Sequence, residues 1–152
     1  MTAVPLNGWS DSDQAAVREQ LDRILKSRPF QPSRRRQRFL EYIVNETLAA
    51  RGERLKGYTI AVGVFDRPET FDPAVDPVVR IEAARLRDKL REYYEADGQN
   101  DPVRIGLPKG TYTPHIEFRQ PKRLGLSQID LWVLLHLSQV LARRTWESWR
   151  RP

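Results

Sequence analysis

Cysteine is absent from the 152 residues, and histidine occurs only twice. Disulfides, thiolate metal sites and cysteine nucleophiles are therefore excluded, and a reducing, cytoplasmic setting is the expectation. His115 and His136 have no matching partner nearby in sequence, so neither suggests a catalytic dyad or a metal site. Long apolar runs are lacking too. The nearest approach to one, Leu131 to Ala142, is shorter than a membrane span and contains His136, Ser138 and Gln139. The N-terminus, MTAVPLNGWSDSDQ, has neither a basic start nor an apolar stretch and does not read as a secretory signal. No phosphate-cradling glycine loop and no Ser/His/Asp arrangement is found. Asp66, Glu69, Asp72 and Asp76 lack the spacing, central glycine and closing glutamate of a calcium loop, and caps or turns account for Asp72 and Asp76. The expectation is a protein that is not an enzyme and that has no cofactor and no metal.

What is present fits a folded protein. Apolar residues make up 39% and charged residues 30%, and the length suits one domain with an extension. The net charge of +6 invites a nucleic-acid partner, but its location matters. Residues 1–118 hold 19 Lys and Arg against 18 Asp and Glu, whereas residues 119–152 hold 7 against 2. Any argument for DNA must therefore rest on where charges lie within the domain.

Residues 1–12 read as a disordered or extended N-terminus, with Ser10 and Ser12 as candidate caps. Val17, Leu21, Ile24 and Leu25 recur at helical spacing and predict a helix over about 13–27. Arg28-Pro29-Phe30-Gln31-Pro32 ends it. Ser33 caps a second predicted helix reaching about Arg51, with Phe39, Leu40, Ile43, Val44, Thr47 and Leu48 on its apolar face and Gly52 after it. A short helix over 59–65 and an Asp- and Pro-rich loop follow. Asp76-Pro77 then opens the clearest helix, with Val79, Ala83, Leu86, Leu90 and Tyr93 on one face and Gly98 as its stop. Val103–Leu107 and Thr111–Ile116 predict two strands joined by Pro108-Lys109-Gly110, with Pro114 marking an edge or bulge. The expected fold class is mainly α with a small β-hairpin: a winged helix-turn-helix over 13–118 plus an appended C-terminal helix.

Candidate DNA-binding residues fall in three places. On the long helix Arg80, Ala84, Arg87 and Arg91 form a stripe, with Ile81, Arg85 and Asp88 further round and Glu82, Glu92 and Glu95 pointing mostly elsewhere. A major groove admits one helix, arginines reach guanine edges or phosphates, and Ala84 or Ile81 suits a thymine methyl. Arg34, Arg35, Arg36 and Arg38 crowd the start of the second helix, where cations oppose the dipole, which favours a functional reason for them. Lys109 sits at the hairpin tip. The competing reading is a solvated face of mixed charges joined by weak ion pairs.

Val75–Leu90, with its Arg85-Leu86-Arg87 and Leu90, resembles the recognition helix of OmpR/PhoB-type winged-helix effector domains, and Val103–Tyr112 resembles their wing. Residues 15–118 are similar, more closely, to an N-terminal domain of bacterial proteins that continue into adenylate/guanylate cyclase, TolB-like or tetratricopeptide regions. The marks are Arg38–Val44, Leu55–Ile60, Phe71-Asp72-Pro73 with Asp76-Pro77, and Leu107–Tyr112. The resemblance implies a winged-helix fold and, by analogy, DNA binding. The OmpR-type N-terminal four-stranded sheet has no counterpart, since residues 1–30 read as coil and helix. No receiver domain precedes the matching stretch and no cyclase, TolB-like or repeat region follows it, so neither phosphorylation control nor cyclase activity carries over.

Residues 119–125 read as a basic linker and 126–150 as an amphipathic helix with Ile129, Val133, Leu137, Val140 and Leu141 on one side. So broad an apolar stripe calls for a partner surface: its own domain, a homodimer seam, or a membrane surface assisted by arginine and tryptophan. The sequence thus supports a regulator that binds double-stranded DNA. The alternative is a non-catalytic protein-interaction or membrane-tethering module on the same scaffold.

Overall fold

Ser10 fixes the start of the first helix by accepting the amide of Asp13 at 3.1 Å. The structure is a computed structural model that describes residues 8–119; the expected linker beyond Arg119 and the helix over 126–150 lie outside the described residues. Helix α1 runs Asp11–Lys26, with acids in its first turn and Arg23 and Lys26 in its last, as the helix dipole favours. It begins two residues before the periodicity predicts, because Ser10 rather than Ser12 is the cap. Ahead of it, Trp9 packs 6.2 Å from Phe118.

Helix α2 spans Arg34–Leu48, capped by Ser33, and stops before the expected Arg51. Ala50 takes a left-handed conformation (φ 59°) there, and a short 3-10 turn at Gly52–Arg54 follows. Helix α3 spans Gly57–Phe65 and ends on Asp66, again left-handed. Helix α4 spans Val78–Glu95 with Pro77 at its cap position, one residue later than expected, and Asp76 accepts the Val78 amide at 2.9 Å just ahead of it.

Strands β1 (Val103–Gly106) and β2 (His115–Phe118) pair antiparallel, Val103 opposite Phe118 and Gly106 opposite His115. The second strand lies later than the predicted Thr111–Ile116. Pro114 has no amide to donate, and residues 107–111 are drawn onto α4 instead of continuing the ladder. The result is a ribbon with a wide tip, not a tight hairpin.

The fold is mainly α with a small two-stranded ribbon. Ile24, Phe30, Phe39, Leu40, Ile43, Ile60, Leu86, Ile105 and Ile116 are fully buried, so all four helices and both strands share one core. Each such side chain contributes about 1.5–3 kcal/mol through burial. Phe39 meets Phe65 edge-on at 5.3 Å, which locks α2 to α3. Packing of this kind leaves one face of α4 and the ribbon tip outward.

Candidate nucleic-acid interface

Helix α4 buries Val79, Glu82, Ala83, Leu86, Leu90, Tyr93 and Tyr94. At about 100° per residue the exposed positions Arg80, Ile81, Ala84, Arg85, Asp88, Arg91, Glu92 and Glu95 occupy a single arc. Its two halves differ. The first two turns present Arg80, Ile81, Ala84 and Arg85 with no acid among them, whereas the last two present Asp88, Glu92 and Glu95 beside Arg91. Glu92 and Glu95 therefore do share the exposed face, contrary to the expectation that they point elsewhere. Arg91 pairs with Asp88, and Lys89 pairs with Glu92 at 2.5 Å.

The arginines of the predicted stripe separate by environment. Arg80 is exposed and has no ion pair or hydrogen bond among the described residues. Arg85 reaches the buried carboxylate of Glu82 at 2.9 Å while staying largely exposed itself. Arg87 is different in kind. Its Nε donates to the Leu107 carbonyl at 3.0 Å, and its Nη2 donates to Pro108 at 3.1 Å and Thr111 at 3.3 Å. Three carbonyls of the ribbon tip thus converge on one guanidinium, whose planar fork suits several acceptors at once. Expected as a groove contact, Arg87 instead fastens the tip to α4. Lys109, exposed, lies within that fastened tip, and Gly110 turns it at φ 83°.

A cleft of about 360 Å³ opens between α4 and the tip, lined by Arg80, Ala83, Arg87, Gly110, Thr111 and Tyr112. Residues 110–112 were not among the sequence candidates. Only the fold brings them to α4.

The arginine cluster on α2 is partly committed to structure. Arg35 lies over the Phe65 ring at 4.8 Å, and Arg36, half-buried, donates to the Pro29 carbonyl at 3.4 Å. Arg38 pairs with Asp66 at 3.3 Å, and the adjacent Arg67 pairs with Asp76 at 3.3 Å. These two contacts link the beginning of α2, the end of α3 and the cap of α4 in one chain. Helices α2 and α4 are thus tied through the end of α3. Arg34 and Arg35 remain exposed at the start of α2, whereas Arg36 turns inward against residue 29.

Behind the site, the far end of α4 is held by a polar cluster. Gln20, almost fully buried on α1, donates to Asp101 at 2.7 Å, and Tyr93 donates to the same carboxylate at 2.5 Å. The Tyr94 hydroxyl accepts the Ile105 amide at 2.7 Å and donates to the Val103 carbonyl at 3.2 Å, tying α4 to β1. Arg119 belongs to this unit rather than to a linker, since it donates to the Gln99 carbonyl and lies over Tyr94. The signal for the cluster was readable: Gln20 interrupts the apolar stripe between Val17 and Ile24 with a polar group that needs partners.

Burial pushes the Tyr94 phenol up to about 12, and burial with the Asp101 hydrogen bond raises Tyr93 as well. A phenol whose folded value is raised favours folding fully below its ordinary value of 10.0 and loses that contribution as pH climbs toward the folded value. Stability is therefore expected to fall above about pH 10, by up to about 1.4 kcal/mol per pH unit per tyrosine. Urea unfolding at stepped alkaline pH, read beside tyrosinate absorbance, checks this. Flat stability through that range would show that the phenols are not held in these bonds.

Among the described residues no group of His, Asp and Glu is placed to hold a metal, and no helix is long and apolar enough to cross a membrane. Comparison with protein-family models, with curated proteins and with solved structures gave no match.

Proposed function

We propose that residues 8–119 are a winged-helix DNA-binding unit of a regulator, with the first half of α4 entering the major groove and the ribbon tip lying alongside. One observation carries this reading: the outward face of the first two turns of α4 is basic and apolar without an acid, Arg80, Ile81, Ala84 and Arg85 standing together. Ile81, 46% exposed, and the small Ala84 are contacts suited to thymine methyl groups, and the arginines suit guanine edges or phosphates. Arg85 keeps the buried Glu82 carboxylate as a partner, and its largely exposed guanidinium retains further N–H donors for a phosphate. Arg34 and Arg35, exposed at the start of α2, supply further phosphate contacts. The resemblance of Val75–Leu90 to OmpR/PhoB-type recognition helices points the same way.

A second reading, a surface that docks a protein, is favoured by Val75, 80% exposed just ahead of α4, together with Ile81.

Anisotropy of a labelled duplex, titrated with the chain at several salt concentrations, separates the two. Four arginine–phosphate contacts give log affinity a slope against log salt of about −3 to −4. A parallel chain with Arg143, Arg144, Arg150 and Arg151 changed to glutamine removes tail charge from the comparison and is expected to keep most of that slope. Binding that vanishes with the tail charges would turn the assignment to the protein-docking surface.

A further inference from the structure

The cleft between α4 and the ribbon tip holds two guanidinium groups and no carboxylate. Arg87 lies along its wall with its hydrogen bonds spent on neutral carbonyls, so its full positive charge persists in the cleft uncompensated by any acid. Arg80, two turns earlier on the same side of α4, has no ion pair or hydrogen bond among the described residues. Thr111 and Tyr112 complete the lining of this space of about 360 Å³. One fixed cation, a second that is free to turn inward and no competing anion together define a site for a phosphate group.

The geometry points to this cleft as a phosphate clamp in which Arg80 holds one backbone phosphodiester of bound DNA between α4 and the ribbon tip, while Arg87 supplies charge without making the contact. This rests on the reading of α4 as the DNA-entering helix. It also makes Arg80 a positioning contact with the backbone rather than a reader of bases, and the two roles differ in what a substitution does.

Two measurements on the full chain test it. In the first, inorganic phosphate is titrated while amide shifts are followed. Saturable shifts are expected at Gly110, Thr111 and Tyr112, weakened at least about tenfold by Arg80→Gln, retained in part by Arg80→Lys, and unchanged by Lys109→Gln. Shifts that leave the cleft untouched, or that persist in Arg80→Gln, overturn the clamp. In the second, duplex affinity is measured against salt. Arg80→Gln is expected to make the slope less negative by about 0.9, the value of one phosphate contact, and to weaken binding equally on unrelated sequences. A loss confined to one sequence would make Arg80 a base reader and overturn the assignment. Should the chain bind no duplex while the cleft still takes up free phosphate through Arg80, the DNA reading falls and the anion site stands, its ligand then being a free phosphorylated molecule.

Discussion

Replacing Ala84 with glutamate is expected to weaken duplex binding by at least about 100-fold, or about 2.7 kcal/mol, while leaving the unfolding free energy within about 0.5 kcal/mol of the parent. Ala84 is exposed at the centre of the acid-free half of α4, flanked along the helix by Arg80, Ile81 and Arg85. No described contact is lost when its methyl group is extended, and helices accept glutamate as readily as most residues. The change acts only on what approaches from outside: a carboxylate placed where a polyanion must come closest, where like-charge juxtaposition costs several kcal/mol. Anisotropy titration at one fixed salt concentration, beside urea unfolding, reads both quantities. Unaltered duplex affinity in a folded Ala84→Glu chain would remove α4 from the interface.

Arg87→Ala is expected to act by the opposite route. Its guanidinium gathers the carbonyls of Leu107, Pro108 and Thr111, and without it these acceptors must turn to water. Hydrogen bonds to a charged group contribute about 1.5–3 kcal/mol each, but the tip carbonyls near solvent rehydrate, so a loss of about 2 kcal/mol in unfolding free energy is expected overall. Amide exchange should quicken over residues 107–113 and leave α1 and α2 unaltered. Lysine at this position is expected to recover little, since a single ammonium cannot span three acceptors as a planar fork does. Stability and exchange equal to the parent's would show that the tip is held by its own backbone instead. The same substitution should also lower duplex affinity, but through a loosened tip and a lost charge rather than a lost contact, which is why Arg87 is a poor probe of direct contact and Ala84 a good one.

The four helices were legible because each signal was local. Apolar spacing, Ser33 and the Asp76-Pro77 cap lie within a few residues of what they control. The second strand was misplaced because its limits depend on Arg87, twenty residues earlier, which draws the intervening tip away from the ladder. On a helical projection Arg80 and Arg87 are near neighbours and identical in type. Nothing in the spacing tells that one faces solvent while the other is roofed by residues 107–111. Glu82 lies off the exposed face, as the projection indicates, but its burial and its bond to Arg85 follow from the fold. The Arg34–Arg38 cluster was legible as a concentration of charge, but the inward turn of Arg36 and the stacking of Arg35 on Phe65 depend on segments that meet only in the fold.

The reversal of charge midway along α4 sets a limit on how such a helix can be inserted. From Arg80 to Arg85 the axis advances about 8 Å, close to the roughly 8.5 Å depth of a B-form major groove. Beyond that point Asp88, Glu92 and Glu95 would meet phosphates, so the rod can enter tip-first but cannot lie lengthwise along the groove floor. Under the DNA-binding proposal, a tilted penetration of this sort reaches only a few base pairs from one chain. In such a complex, selectivity over a longer tract would come from repetition of the unit along the duplex or from the bending energy of the intervening steps.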